Sequence, residues 1–239
     1  MTYEDVLSFC EEQDVRFIRL AYFDIYGRQK NVSVLPTELK RAFMEGISFD
    51  ASAIDGFLDE VHSDLFLYPD PNTMSILPWR SMDGSVIRMY CDIKYPDGTP
   101  FERDARYILK QAVKKAKEKG IRTYLATNPV FPKVATMNRI KWAGLDAEDF
   151  ELITTYEDNC YCKPNVDYYR TILERFQLAP EECLMVGNDV EEDLAIRKLG
   201  VKTFLVTDTM ENKKNLPIES DYQGSMKELI AFVESLENA

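Results

Sequence analysis

The chain has 239 residues, 45% of them hydrophobic, enough to core one large domain or two small ones and too apolar for wholesale disorder. With 41 acidic against 29 basic side chains its formal charge is −12, which argues against a nucleic-acid or anionic-membrane partner. Five cysteines without a regular framework point to a reduced, cytoplasmic setting. No signal peptide opens the sequence, and no apolar run reaches the about 20 residues of a membrane helix.

Residues 3 to 13 predict a short helix with Val6, Leu7 and Cys10 on one side. Val15 to Asp24 follows as a strand, Tyr26-Gly27-Arg28 as a turn, and Gln29 to Val34 as its hairpin mate. Pro36-Thr37-Glu38 opens a helix that Gly46 ends, and residues 48 to 57 are expected as a loop. Asp64 to Tyr68, Thr73 to Leu77 and Ser85 to Ile93 predict further strands between Pro-rich turns. Together these make a small α+β domain, a mixed sheet crossed by a helix.

The runs VLPTELKRAFMEGISFDASAIDGF, SDLFLYPDPNTMSILPW and MYCDIKYPDGTPFERDARYILK resemble the N-terminal β-grasp domain of bacterial type I glutamine synthetase. The resemblance covers about residues 1 to 110. It implies that Asp50, in the FDASAI loop, helps bind and deprotonate ammonium in the active site of a neighbouring subunit. Where that family often has serine this chain has Ala53, and the family's large catalytic domain does not follow. Possible partners on this resemblance are glutamine synthetase subunits or further copies of the chain.

Arg103 to Lys119 predicts a strong helix, with Ala105, Ile108, Leu109, Ala112, Val113 and Ala116 at helical spacing, and the change of character falls within it. The division expected is 1–110 and 111–239. Ile121 to Ala126 is an apolar strand ending in Thr127-Asn128-Pro129, where a hydroxyl and free N–H groups could cradle a phosphate or simply cap a turn. A helix through Met137, Ile140 and Trp142 and a strand near Leu152 to Thr155 come next. Cys160 and Cys162 read as packing or loop residues, because His62 is the one imidazole available to join them on a metal. Lys163 precedes a helix with Tyr169, Ile172, Leu173 and Phe176 on its apolar side. It can neutralise a phosphate or face water.

Cys183 to Val186 is a short apolar run of the kind buried in parallel sheets, and Gly187 lets the chain turn after it. Asp189 falls at the carboxyl end of that strand. Asp193, four residues on, can face the same point. Two such carboxylates suit magnesium, a hard cation preferring oxygen; the alternative is a helix cap beside a solvated acidic face. Leu194, Ile196 and Leu199 mark a helix stopped by Gly200, and Val201 to Val206 resumes a strand. Ser225-Met226-Lys227-Glu228 is a capping box for the last helix.

In the order Thr127, Lys163, Asp189 and Asp193, the blocks LATNPVFP, ITTYEDNCYCKPN and CLMVGNDVEEDLAIRKLG resemble the haloacid-dehalogenase (HAD) superfamily of phosphohydrolases. The fold implied is α/β: an incomplete HAD-like, Rossmannoid parallel sheet following the β-grasp domain. The resemblance implies that Thr127 and Lys163 bind the phosphoryl group of a phosphorylated small molecule, and that Asp189 and Asp193 hold Mg2+. That superfamily attacks phosphate with the first aspartate of an Asp-x-Asp motif, which occurs nowhere in this chain. Its nearest imitations are Tyr95-Pro96-Asp97-Gly98-Thr99 and Phe23-Asp24-Ile25-Tyr26-Gly27. Glutamine synthetase (a ligase) and phosphatase (a hydrolase) are thus both resembled, each without essential catalytic parts. The functions expected are a phosphohydrolase remnant with little or no turnover, a phosphatase using Asp97 or Asp24 as nucleophile, or an assembly module for glutamine synthetase. The resemblance implies that the lost strand lies between those ending at Thr127 and Gly187; these two neighbours are expected to close up and pair, the alternatives being entry of a foreign strand or a partly open sheet that associates through its edges.

Overall fold

The computed structural model describes residues 1–54, 56–57, 64–79 and 84–236; Asp55 of the expected loop and His62 lie outside them. The chain divides into two compact units, Met1–Lys110 with Ile140–Leu145, and Gln111–Arg139 with Asp146–Ala239.

In the first unit, helix α1 (Tyr3–Glu12) starts at a capping box of Thr2 and Asp5 and buries Val6 and Cys10. Strands β1 (Val15–Phe23) and β2 (Gln29–Val34) form the expected hairpin. Its turn is tied by Asp24, whose carboxylate accepts the Tyr26 and Arg28 N–H groups at 3.0 and 2.8 Å. The expected helix after Pro36 begins as a 3-10 turn and becomes α2 (Leu39–Met44). Gly46 ends it at a φ of +79°, with the Tyr68 ring where a side chain would stand.

The expected loop at 48–57 is corrected in part: Ile47–Asp50 is strand β3, paired antiparallel with β4 (Asp64–Pro69). Its four residues alternate in burial, Ile47 and Phe49 inward, Ser48 and Asp50 outward. The expected strand at 73–77 shrinks to β5 (Ser75–Ile76), because Asp70 caps a 3-10 turn over Pro71–Thr73. With β6 (Ser85–Lys94) the sheet runs β2-β1-β6-β4-β3, β1 and β6 parallel and β5 on the flank of β6. One face carries the core: Ile18, Leu20, Leu65, Leu67, Ile87, Met89 and Ile93 against α1, α2, Phe57 and Phe101.

Helix α3 (Ala105–Glu118) carries the chain from this unit into the second. Its first turn is anchored by buried charge. Arg106 is paired with Asp70 and Asp92 at 2.8 and 3.0 Å, and Lys110 reaches Asp92 at 2.8 Å. Asp104 accepts the N–H groups of Ile93 and Arg106, and burial pushes its carboxyl up to about 6.

The second unit holds β7 (Tyr124–Leu125), α4 up to Arg139 (Lys133–Trp142 in full), β8 (Leu152–Ile153) and α5 (Val166–Phe176). Strands β9 (Leu184–Gly187), β10 (Lys202–Val206) and β11 (Tyr222–Gly224) and helix α6 (Met226–Ser235) follow. The capping box of Ser225 and Glu228 opens α6 as its sequence predicts. The helix expected after Asp193 is a 3-10 run, Leu194–Leu199, stopped by Gly200 at a φ of +88°.

All pairings in this unit's sheets are parallel, in two separate groups: β11-β10-β9 and β7-β8. One apolar layer spans both groups, and a second lies on β9 and β10. Tyr168, Tyr169 and Ile172 of α5, with Ala195 and Ile196, cover Ala126, Leu152, Cys183 and Met185. Ala116 of α3 and Leu229 and Val233 of α6 cover Phe204 and Val206, with Ile121 and Leu184 against them. The expectation that the strands ending at Thr127 and Gly187 pair directly is therefore corrected. Side chains of Asn128 and Lys163 bridge the two strand ends to Glu192 and Asp193, which sets them at side-chain reach instead of the ladder spacing of about 4.8 Å.

Candidate functional site

At the carboxyl end of β9 the chain turns through Gly187, Asn188 and Asp189 into the 3-10 run. The Asp193 carboxylate folds back over this turn. Its Oδ2 accepts the N–H groups of Asn188 and Asp189 at 2.9 and 3.0 Å, and its Oδ1 receives Lys163 Nζ at 2.6 Å. A Cβ on Gly187 would stand 2.2 Å from Asp193 Oδ2, so the carboxylate occupies the space a side chain would need. Asp189 turns one oxygen to the N–H groups of Glu191 and Glu192, at 2.9 and 2.8 Å, and its other oxygen is not used by the turn. The segment after β10 braces the arrangement: Asn188 Nδ2 donates to the Thr209 carbonyl, and Val190 N–H to that of Glu211.

Lys163 and Asp193 are both buried, with side chains 5% and 9% exposed. Removing either partner strands a charge where water does not reach, so the pair fixes the junction of the 160–165 loop to the β9 turn. The Lys163 ammonium also lies 6.0 and 5.8 Å from the ring centroids of Tyr168 and Tyr169. Its backbone N–H donates to Asn128 Oδ1, while Asn128 Nδ2 donates to Glu192 Oε1 at 2.9 Å. Thr127 closes the group. Its hydroxyl donates to the Thr154 carbonyl at 3.2 Å, and its own carbonyl accepts from Tyr168 OH at 2.7 Å. Tyr169 OH donates to the Glu192 carbonyl. Burial pushes both tyrosine hydroxyls well up, which keeps them as neutral donors.

Thr127, Lys163, Asp189 and Asp193 are thus brought together on the carboxyl side of β7 and β9. Asp50 is not among them. It stands exposed in the first unit, accepting Ser52 N–H and hydroxyl at 2.9 and 2.6 Å, bonds that lower its pKa. Asp24 and Asp97 likewise belong to the first unit and spend their carboxylates on their own turns, Asp97 on Thr99 N–H and hydroxyl. Asn128, Glu192, Tyr168 and Tyr169 join the site without having been singled out for it. The position of Asn128 directly after Thr127, in the same strand-end turn, was the available signal.

For a divalent cation the donor set is thin. Among the described residues no group of three or more His, Cys, Asp or Glu side chains is placed to hold a metal. Asp193 is engaged at both oxygens, leaving the second oxygen of Asp189 as the carboxylate donor at the turn.

Comparison with known families separates the chain along the same lines. Residues 14–96 match the glutamine synthetase β-grasp domain, and residues 105–200 match the haloacid dehalogenase-like hydrolases. The chain joins a glutamine synthetase β-grasp domain to a haloacid dehalogenase-like hydrolase domain. Glutamine synthetase of Mycolicibacterium smegmatis is 44% identical over 124 residues, 51% of this chain and 28% of that relative. The enzyme of Clostridium saccharobutylicum is 44% identical over 119 residues, 50% of this chain and 27% of its own length. The chain therefore spans little more than a quarter of these synthetases. A Plasmodium falciparum glutamine synthetase structure aligns over 50% of this chain and 23% of its own, at 23% identity and a TM-score of 0.45, too distant to bear on function. The hydrolase half has strands in parallel and acids at their carboxyl ends, and the glutamine synthetase half has the mixed sheet of a β-grasp. No helix among the described residues is long and apolar enough to cross a membrane.

Proposed function

We propose that the hydrolase half is a phosphohydrolase remnant that binds a phosphorylated small molecule, and magnesium weakly, with little or no turnover. The observation that carries this reading is the convergence of Thr127, Lys163, Asp189 and Asp193 at two strand ends in a chain without any Asp-x-Asp sequence. A phosphate there would take the Thr127 hydroxyl away from the Thr154 carbonyl and draw on the two N–H donors of Lys163 not given to Asp193. Asp193 keeps Lys163 aimed at the strand ends. Asp189 would hold magnesium through its second oxygen, with water completing the shell, a fit to a weak and mostly hydrated ion. When bound, that ion supplies positive charge beside the phosphate. Free cysteines, five of them, agree with a reduced, cytoplasmic setting.

Two measurements test this. Phosphate titrated into the protein with magnesium present should bind saturably, and binding should fall in Lys163→Met and Thr127→Val. With a generic aryl phosphate, turnover should not exceed that of an Asp189→Asn control. Magnesium-dependent hydrolysis that disappears in Asp97→Asn or Asp24→Asn would replace this reading with an unorthodox phosphatase.

The glutamine synthetase half favours a second reading, an assembly module that docks on synthetase subunits or on itself. Its identity to the synthetases is 44%, and Asp50 is exposed, as are Phe17 and Trp79. Co-elution with a bacterial glutamine synthetase, lost on removing residues 1–104, is the outcome it requires.

A further inference from the structure

One row of side chains across the first unit's sheet carries charge without counter-charge. Arg19 of β1 and Arg88 of β6 are register partners on adjacent parallel strands, and Ser33 of β2 is the partner of Arg19 on its other side. Ile18, Leu20, Ile87 and Met89 point into the core, so by alternation Arg19 and Arg88 share the opposite face. Val32 and Val34 pack against the core and place Ser33 on that face too. Like charges directly opposite on neighbouring strands destabilise a sheet. Here nothing offsets them. Among the described residues neither guanidinium has a carboxylate partner, and Arg88 Nε is buried without a hydrogen-bond partner. The nearby acids are spent elsewhere: Asp92 on Arg106 and Lys110, Asp70 on Arg106, Asp14 on Arg16.

Rings hold the two cations in place. Arg19 lies 6.0 Å from the Trp79 ring centroid, and Arg88 lies 4.8 Å from that of Trp142 and 4.7 Å from that of Tyr90. Such contacts use the flat face of a guanidinium and leave its edge N–H donors for an anion. Phe17 precedes Arg19 by two residues, and both Phe17 and Trp79 are exposed.

We propose that this row binds a small phosphate monoester whose organic part is aromatic. Two guanidiniums match the charge of about −2 on such a phosphate and present paired donors to its oxygens. The Ser33 hydroxyl, engaged in no hydrogen bond among the described residues, adds a neutral donor at the end of the row. Trp79 and Phe17 offer exposed faces to the ring of the ester. The site is made of first-unit residues alone, so it does not rest on phosphate binding at Thr127 and Lys163.

The chain's two tryptophans are Trp79 and Trp142, so intrinsic fluorescence reports this row. Phenyl phosphate titrated into the full chain, in EDTA at constant ionic strength, should change that fluorescence saturably. A chain of formal charge −12 does not gather anions generally, so saturation identifies a local site. Affinity should fall at least about tenfold in Arg19→Met and in Arg88→Met, and less in Arg19→Lys, which keeps the charge but not the fork. Inorganic phosphate should bind about threefold more weakly than phenyl phosphate, a difference that Trp79→Leu removes while Trp142 still reports. Thr127→Val, in the hydrolase half, should leave the titration unchanged. If either methionine variant does not fold, Arg19→Lys and the wild-type comparison of the two phosphates decide. A response that is absent, reproduced by sodium chloride or undiminished in the arginine variants overturns the proposal. So does its loss in Thr127→Val, which would assign the phosphate to the hydrolase half.

Discussion

In the first unit β1 is paired on both sides, with β2 and with β6; in the second, β9 is paired on one side, with β10. The two strands have comparable apolar content, VRFIRLAYF against LMVG, but not comparable burial. Ile18 and Leu20 are inaccessible, whereas Leu184 and Met185 are half-buried and Val186 exposed. Hydrophobicity recruits a strand to a sheet. Burial follows from neighbours on both edges, and those depend on segments far away in the sequence.

Amide hydrogen exchange should break or sustain this comparison most decisively. Exchange from core strands requires openings that approach the global stability, about 5–15 kcal/mol, whereas one-sided strands open locally at far lower cost. Residues 87–93 of β6 should therefore exchange orders of magnitude more slowly than 124–125 and 184–187. If β7 and β9 hold the slowest amides in the chain, the reading of an interrupted sheet is wrong.

Lys163→Met should come next in size. It leaves Asp193 as an unpaired buried charge, a loss of about 3–5 kcal/mol in chemical denaturation of the second unit. The double substitution Lys163→Met, Asp193→Leu should cost less than the two singles summed. Additivity would mean that the pair is open to water after all.

Smallest is a pH effect confined to the first unit. The Asp104 carboxyl is raised to about 6 by burial, so between the unfolded value of about 3.9 and about 6 the folded state holds a proton the unfolded state has lost. The contribution of Asp104 to stability is then greatest below about pH 4 and falls as pH rises to about 6, by about 2–3 kcal/mol, against the opposite slope from the lowered carboxyl of Asp92. Asp104→Asn should flatten that window, and an unchanged slope would assign it to another group.

The β1–β2 hairpin, α3, β10 and the Ser225 capping box were legible because each is fixed by local pattern: a glycine turn, helical spacing, a cap three residues from its glutamate. Strand β3 was not, since four residues with Ser48 and Asp50 outward look like a loop until β4 is beside them. The placement of Thr127, Lys163, Asp189 and Asp193 at strand ends followed from the same local signals. What those side chains touch did not. Lys163 meets Asp193 across 30 residues and Asn128 meets Glu192 across 64, distances over which spacing carries no information. The direct pairing of β7 with β9 was expected because unpaired backbone is costly and the N-terminal strands are committed to their own sheet. The bridging side chains, which that reasoning left out, decide the outcome.

Gly187 shows how such a site restricts its own history. Its backbone is not in the left-handed region that usually demands glycine, so any residue could adopt its conformation. The restriction comes from a carboxylate: even alanine would put a methyl carbon 2.2 Å from Asp193 Oδ2. The first substitution open to this turn is therefore at position 193, and only a chain that had already given up the Lys163 ion pair could explore other residues at 187. Mutations at these positions have an order in which they can occur, set by the space one charged group fills.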